Sequence, residues 1–282
     1  MRHHAAVLGH PVAHSLSPVL HRAAYADLGL TEWEYGLHDV DEGDLSAFVR
    51  GLDDSWAGLS LTMPLKQQAL ALSDHVEPLA KVVGAVNTLL FQPGGLLIGA
   101  NTDVHGIVEA LREATPQPPR ADARRGVIIG AGSTAAAALA ALGELGIHAP
   151  VVLARSVGRA GIVMRAAARM GVTPEYVTLT DDRARAELLG ADVVVSTAPH
   201  GAADSLVALL DGAALDPDQV LLDVVYEGWP TAVAAAWRSA GGSISPGYLM
   251  LLHQAVEQVR LMTGQTGPVA AMRAALMQAL AD

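Results

Sequence analysis

Cysteine is absent from the 282 residues, which excludes disulfides and thiolate chemistry and gives no reason to expect an oxidising compartment. Long apolar runs are missing too: no segment approaches the roughly 18 uninterrupted apolar residues of a membrane helix. The opening Met-Arg-His-His-Ala-Ala-Val-Leu-Gly meets Pro11 before its apolar run is long enough for a signal peptide, so a cytoplasmic location is expected. Basic residues are outnumbered, 18 to 29, and the formal net charge is −11. Neither nucleic acid nor an anionic membrane is therefore expected as a partner, since both require a basic face. An anionic small molecule stays open, because a local pocket can oppose the global charge. Lysine is the scarcest cation, 16 arginines standing against Lys66 and Lys81 alone. A chain that uses arginine almost everywhere can keep lysine where arginine would not serve.

Half of the residues are apolar, which allows a large core and argues against disorder, and the length suits two domains. The first hundred residues alternate strands (Ala5–Gly9, Trp33–Val40, Ala57–Met63) with helices opening at Ser17-Pro18, Asp44 and Lys66. Ala85–Phe91 and Leu96–Ala100 flank Gln92-Pro93-Gly94-Gly95, a hairpin turn. The expectation is an α/β domain with a mostly parallel sheet and one antiparallel pair at its edge. A helix from Val104 follows, and Thr115-Pro116-Gln117-Pro118-Pro119 reads as a loop between units. From Gly126 strands and helices alternate afresh, ending in an amphipathic helix over Tyr248–Met262 and another from Pro268.

Val127-Ile128-Ile129-Gly130-Ala131-Gly132-Ser133-Thr134-Ala135 reads as strand, G-x-G-x-x-A loop and helix. The first glycine permits the tight turn, the second lets a pyrophosphate approach, and the small third residue lets helix meet sheet. Helix N–H groups then face the phosphates. After the next strand, where an NAD enzyme places a carboxylate on the ribose, stand Ala154-Arg155-Ser156, with Arg159 beyond. A guanidinium pairs with a 2′-phosphate, so NADP is the expected cofactor.

Four constellations are polar where their neighbours are apolar: His14-Ser15-Leu16-Ser17-Pro18, Thr62-Met63-Pro64-Leu65-Lys66, Asn87-Thr88 and Asn101-Thr102-Asp103. All lie near expected strand ends, where open α/β sheets bind ligands. Singly, Ser17, Thr102 or Asp103 could cap a helix, Lys66 could be a solvated helix residue and Asn87 could close a turn. Together they describe a pocket for a polyhydroxylated ligand. His10 and His14 are four apart, but Pro11 lies between them and no carboxylate is expected near, so no metal site is expected.

Taken in order, these motifs, with Asp223-Val224-Val225-Tyr226 and Gly247-x-x-Met250-Leu251-x-x-Gln254-Ala255, resemble the shikimate dehydrogenase family nearly end to end. The resemblance implies a substrate domain over 1–103 completed by helices 247–282, and a Rossmann-type NADP domain over 104–246, with the active site in the cleft between them. It implies reversible reduction of 3-dehydroshikimate to shikimate by a monomer or homodimer. Ser15, Ser17, Thr62, Asn87, Asp103 and Gln254 would contact the ligand, and Lys66 would be the catalytic group beside Asp103. Tyr226 would approach the substrate, while Val224 and Gly247 would face the nicotinamide. The chain departs from the family in three places. Ser60-Leu61 stand where an asparagine often precedes the lysine motif's Val-Thr, Ala154 replaces an asparagine, and Glu227-Gly228 follow Tyr226. A quinate or amino-analogue dehydrogenase shares the scaffold, as would a sensor without turnover. Retention of Lys66 and Asp103 speaks against the sensor.

Overall fold

The computed structural model describes residues 2–115, 125–156, 158, 160–180 and 182–281. Two compact units emerge, one of Met1–Thr102 with Leu252–Asp282 and one of Asp103–Leu251.

The first unit runs β1 (His3–Gly9), α1 (Ser17–Asp27), β2 (Trp33–Asp39), α2 (Leu45–Arg50), β3 (Trp56–Leu61), α3 (Lys66–Leu72), β4 (His75–Val76), α4 (Pro78–Val83), β5 (Thr88–Phe91) and β6 (Leu97–Ala100). The sheet order is β2-β1-β3-β5-β6-β4. β1 is parallel to β2 and β3, whereas β5 is antiparallel to both β3 and β6. The hairpin is thus one strand in from the edge expected for it, because the two-residue β4 pairs outside β6. So short a strand carries no alternation that a sequence could display. Asn87 and its two predecessors are not strand; β5 starts only at Thr88. One sheet face buries Leu8, Leu59, Leu61, Leu65, Val86 and Leu89. Of the terminal helices α10 (Gly247–Thr263) and α11 (Val269–Ala281), α11 packs along α1.

The second unit begins with α5 (Asp103–Ala114). Pro116–Pro119 of the expected loop lie outside the described residues. Then come β7 (Gly126–Ile129), α6 (Ser133–Glu144), β8 (Val151–Ala154), α7 (Gly161–Met170), β9 (Glu175–Thr178), α8 (Arg183–Leu189), β10 (Val193–Ser196), a 3-10 helix (Asp204–Leu210), β11 (Val220–Asp223), α9 (Ala232–Ser239) and β12 (Ser243–Pro246). All six strands are parallel, in the order β12-β11-β10-β7-β8-β9. The order reverses between β7 and β10, the switch point at which doubly wound sheets bind dinucleotides. Buried on both faces, these strands read as continuous apolar runs such as Val193-Val194-Val195. The run Ala135–Ala138 in α6 is wholly buried, small side chains letting that helix lie close on the sheet.

Candidate active site

In the first unit the polar constellations meet at one end of the sheet, and pairing explains why. β1 and β3 are parallel, so Gly9 and Thr62 leave the sheet side by side, with Thr62 N–H on the Leu8 carbonyl at 2.9 Å and His10 N–H on that of Met63 at 3.0 Å. A Cβ at Gly9 would collide with the Thr62 methyl, so the approach requires glycine there. Because β5 is antiparallel, its start faces the end of β3, and Leu61 N–H reaches the Asn87 carbonyl at 2.7 Å. Asn87 N–H bonds the Ala100 carbonyl at 3.0 Å, which brings the end of β6, and so Asn101 and Thr102, to the same place. Lys66 opens α3 immediately beyond Thr62, and its carbonyl accepts Val86 N–H at 2.9 Å.

Asn87 is the hub of this end and is buried. Its Oδ1 accepts Thr102 N–H at 2.8 Å and the Thr88 hydroxyl at 2.9 Å, and its Nδ2 donates to Thr102 Oγ1 at 2.9 Å. Gln254, on the part of α10 that belongs to this unit, meets Thr102 Oγ1 at 3.4 Å. Asp103 follows Thr102 directly, opens α5 and is buried. Ser17 is the first residue of α1 rather than its cap, since Leu16 holds the cap position without a side-chain bond. Ser15 Oγ instead accepts Ser17 N–H at 3.3 Å. Ser17 is buried.

Spatial proximity also overturns one sequence argument: a carboxylate does approach His10, the Asp39 Oδ1 at 2.5 Å, and its hydrogen bond and charge raise the histidine's pKa. β1 and β2 are parallel neighbours, so residues 29 apart leave the sheet together. Among the described residues no cluster of three or more potential metal ligands occurs. A surface hollow of about 880 Å3 between α1 and β2, lined by Arg22, Tyr25, Trp33 and Trp56 among others, contains none of the expected site residues.

In the second unit Gly130 has φ +116°, and a Cβ there would collide with Thr197 Oγ1. At Gly132 a Cβ would meet nothing within 4 Å, leaving the loop open to an approaching group. No side chain caps α6, so the N–H groups of Ser133, Thr134 and the next turn are not claimed by a capping residue. Ala135 is fully buried, the close helix contact that its place in the motif requires. Arg155 is exposed directly after β8, the strand beside β7, at the end of the sheet where Gly130 and Ala131 turn. Ala154 is buried and Ser156 half-buried. Arg159 lies outside the described residues. A glycine loop open to solvent, an uncapped helix start and a neighbouring guanidinium fit a dinucleotide bearing an extra phosphate.

Val224 and Gly247 come together: a Cβ at Gly247 would lie 2.5 Å from the Val224 carbonyl oxygen. Burial, helped by the charge of Glu227, raises the pKa of the Tyr226 phenol, which keeps it a neutral donor. Sequence reasoning quoted Asp223 within a motif but gave it no role, and it is the group that shapes this corner. Buried Asp223 accepts the Thr231 hydroxyl at 2.6 Å and Val225 N–H at 3.2 Å, while Thr231 caps α9 through Ala234 N–H. A lone carboxylate ending the apolar run Val220-Leu221-Leu222 was the available signal. Burial raises its pKa against those donors.

Residues 7–89 match the shikimate dehydrogenase substrate binding domain, and 247–277 the shikimate 5'-dehydrogenase C-terminal domain. A protein of Rubrobacter xylanophilus named shikimate dehydrogenase (NADP(+)) is 38% identical over 96% of this chain and 94% of its own length. The crystal structure of Mycobacterium tuberculosis shikimate dehydrogenase superposes with a TM-score of 0.87 at 39% identity, covering 98% of this chain and 99% of that one. The Thermus thermophilus shikimate 5-dehydrogenase, in complex with NADP(H) and shikimate, gives 0.81 at 31% identity, covering 98% and 99%.

Proposed function

The chain belongs to the shikimate dehydrogenase family, and from that premise we propose that it reversibly reduces 3-dehydroshikimate to shikimate with NADP(H). One observation carries the reading furthest. The hydrogen bonds around Asn87 gather Thr62, Lys66, Asn87, Thr102 and Gln254 at one end of a single sheet, and a polyol carboxylate needs such a density of donors and acceptors.

When bound, NADP supplies the hydride chemistry. The Gly130–Thr134 loop and the start of α6 hold the pyrophosphate, and Arg155 takes the 2′-phosphate. The chain's own contribution is the proton: Lys66 removes it from the reacting hydroxyl on oxidation and returns it to that oxygen on reduction. Asp103, next in the chain to the anchored Thr102, orients the ammonium and accepts from the substrate hydroxyl. Arginine could not replace the lysine, because a guanidinium does not give up its proton in this range. Ser15, Ser17, Thr62, Asn87 and Gln254 fix the carboxylate and remaining hydroxyls, and Tyr226 also approaches the substrate. Val224 and Gly247 shape the nicotinamide's place.

Nicotinamide reduction followed with shikimate or quinate, each with NADP+ or NAD+, tests this. The expected preference is shikimate with NADP+; quinate with NAD+ would make the chain a quinate dehydrogenase, and no reduction with any pair a sensor. Lys66→Ala and Lys66→Arg should each lower kcat by about 10²–10⁴-fold, the usual worth of a positioned acid–base group. Wild-type turnover in either variant would remove Lys66 from the mechanism.

A further inference from the structure

Behind Asn87, on the side where α10 packs, runs a chain of buried polar groups for which the proposed reaction has no use. Tyr35, Ser60, Gln258 and Thr88 are all buried, and every bond between them has one permitted direction. Gln258 Nε2 lies 3.4 Å from the Asn87 main-chain carbonyl, which only accepts, so that atom is the amide nitrogen. It also donates to Thr88 Oγ1 at 2.9 Å, which leaves the Thr88 proton for Asn87 Oδ1. On the other side Gln258 Oε1 accepts the Ser60 hydroxyl at 2.8 Å, and Ser60 in turn accepts the Tyr35 phenol at 2.6 Å. His21 lies flat on Tyr35, ring centroids 3.9 Å apart, with its Nε2 at 3.3 Å from the same Gln258 oxygen.

We propose that Gln258 is a positioning residue for the substrate: Ser60 and Tyr35 fix the direction of its carboxamide, and through Thr88 that carboxamide aims the one of Asn87. A carboxamide is suited to this because it accepts on one side and donates on the other, passing a fixed direction through the core. Ser60 matters to the same end. It stands where an asparagine is common in the family, and the amide at that point comes instead from Gln258, on a helix 198 residues further along.

The proposal rests on Asn87 binding the ligand, and the experiment separates the two claims. Thr88→Val keeps the volume and removes the relay hydroxyl. It should raise the KM for shikimate about tenfold, the size of one mis-aimed hydrogen bond, with the KM for NADP+ within about twofold of wild type, and Thr88→Ser should restore it. In an Asn87→Ala background, Thr88→Val should add nothing, since groups that act through one another are not additive. Gln258→Met, of similar volume, should repeat the pattern and stand in if Thr88→Val fails to fold. If Asn87→Ala itself leaves the shikimate KM unchanged, the functional reading of Asn87 fails. If Asn87→Ala raises it and the Thr88 and Gln258 effects are absent, or add fully to it, Gln258 is a packing residue and the positioning role is overturned.

Discussion

His21 sits in the first unit with no exposed surface, stacked on Tyr35 and edge-on to Tyr25. Its Nδ1 has no hydrogen-bond partner among the described residues. Removal from water lowers its pKa from 6.5 to about 3, the Gln258 bond opposing only in part. An unfolded histidine takes up a proton near pH 6.5, so between that pH and 3 the unfolded chain binds the additional proton. Folding stability therefore decreases as the pH is lowered through this window, by at most about 1.4 kcal/mol per pH unit from this one group. Urea denaturation at about pH 7.5 and about pH 5, on either side of the unfolded histidine's titration, should show a smaller pH difference in His21→Gln than in wild type; equal differences would mean that His21 titrates normally when folded. Tyr35 and Tyr25, whose phenols burial pushes well up, stay neutral throughout.

At the scale of elements, the site is made by where strands stop. β1, β3 and β6 end, and β5 begins, at one edge, and the glycine loop after β7 sits at the switch point of the other sheet. The two motif glycines answer to different demands, which substitution separates. Gly130→Ala places a methyl on Thr197 at a positive φ and should cost stability, by about 1–3 kcal/mol. Gly132→Ala, at φ −89° with open space ahead, should leave stability within about 0.5 kcal/mol of wild type. It should nonetheless raise the KM for NADP+ through crowding of the pyrophosphate. Thermal melting and cofactor titration on the pair check this; equal melting temperatures, or unchanged NADP+ affinity in Gly132→Ala, would contradict it. The strand–loop–helix at 127–135 was legible because apolar run, glycine spacing and small residues coincide locally. The place of β5 between β3 and β6 was not, since nothing local marks a strand as antiparallel to both neighbours.

At the scale of the whole chain, the C-terminal residues Leu252–Asp282 belong with the N-terminal unit. They bring it Gln254 and Gln258, and α11 lies along α1. Ending the chain after Leu251 should therefore abolish shikimate binding and expose α1, while the second unit, Asp103–Leu251, keeps its apolar cluster from Val127 to Trp237. Calorimetric titration of the truncated chain should still detect NADP+ but not shikimate; retained shikimate affinity would show those helices to be dispensable. By itself the sequence determined the strand, glycine loop and helix at 127–135, the two-part α/β plan and the identity of the polar motifs, because each is written in residues a few positions apart. Only the tertiary structure decided which polar groups share a network. Gln258, Ser60, Tyr35 and His21 come from β2, β3 and two helices, and Asp39 reaches His10 across two strands. Hydrogen-bond partners so far apart in the chain are set by sheet register and helix packing, which no local spacing records.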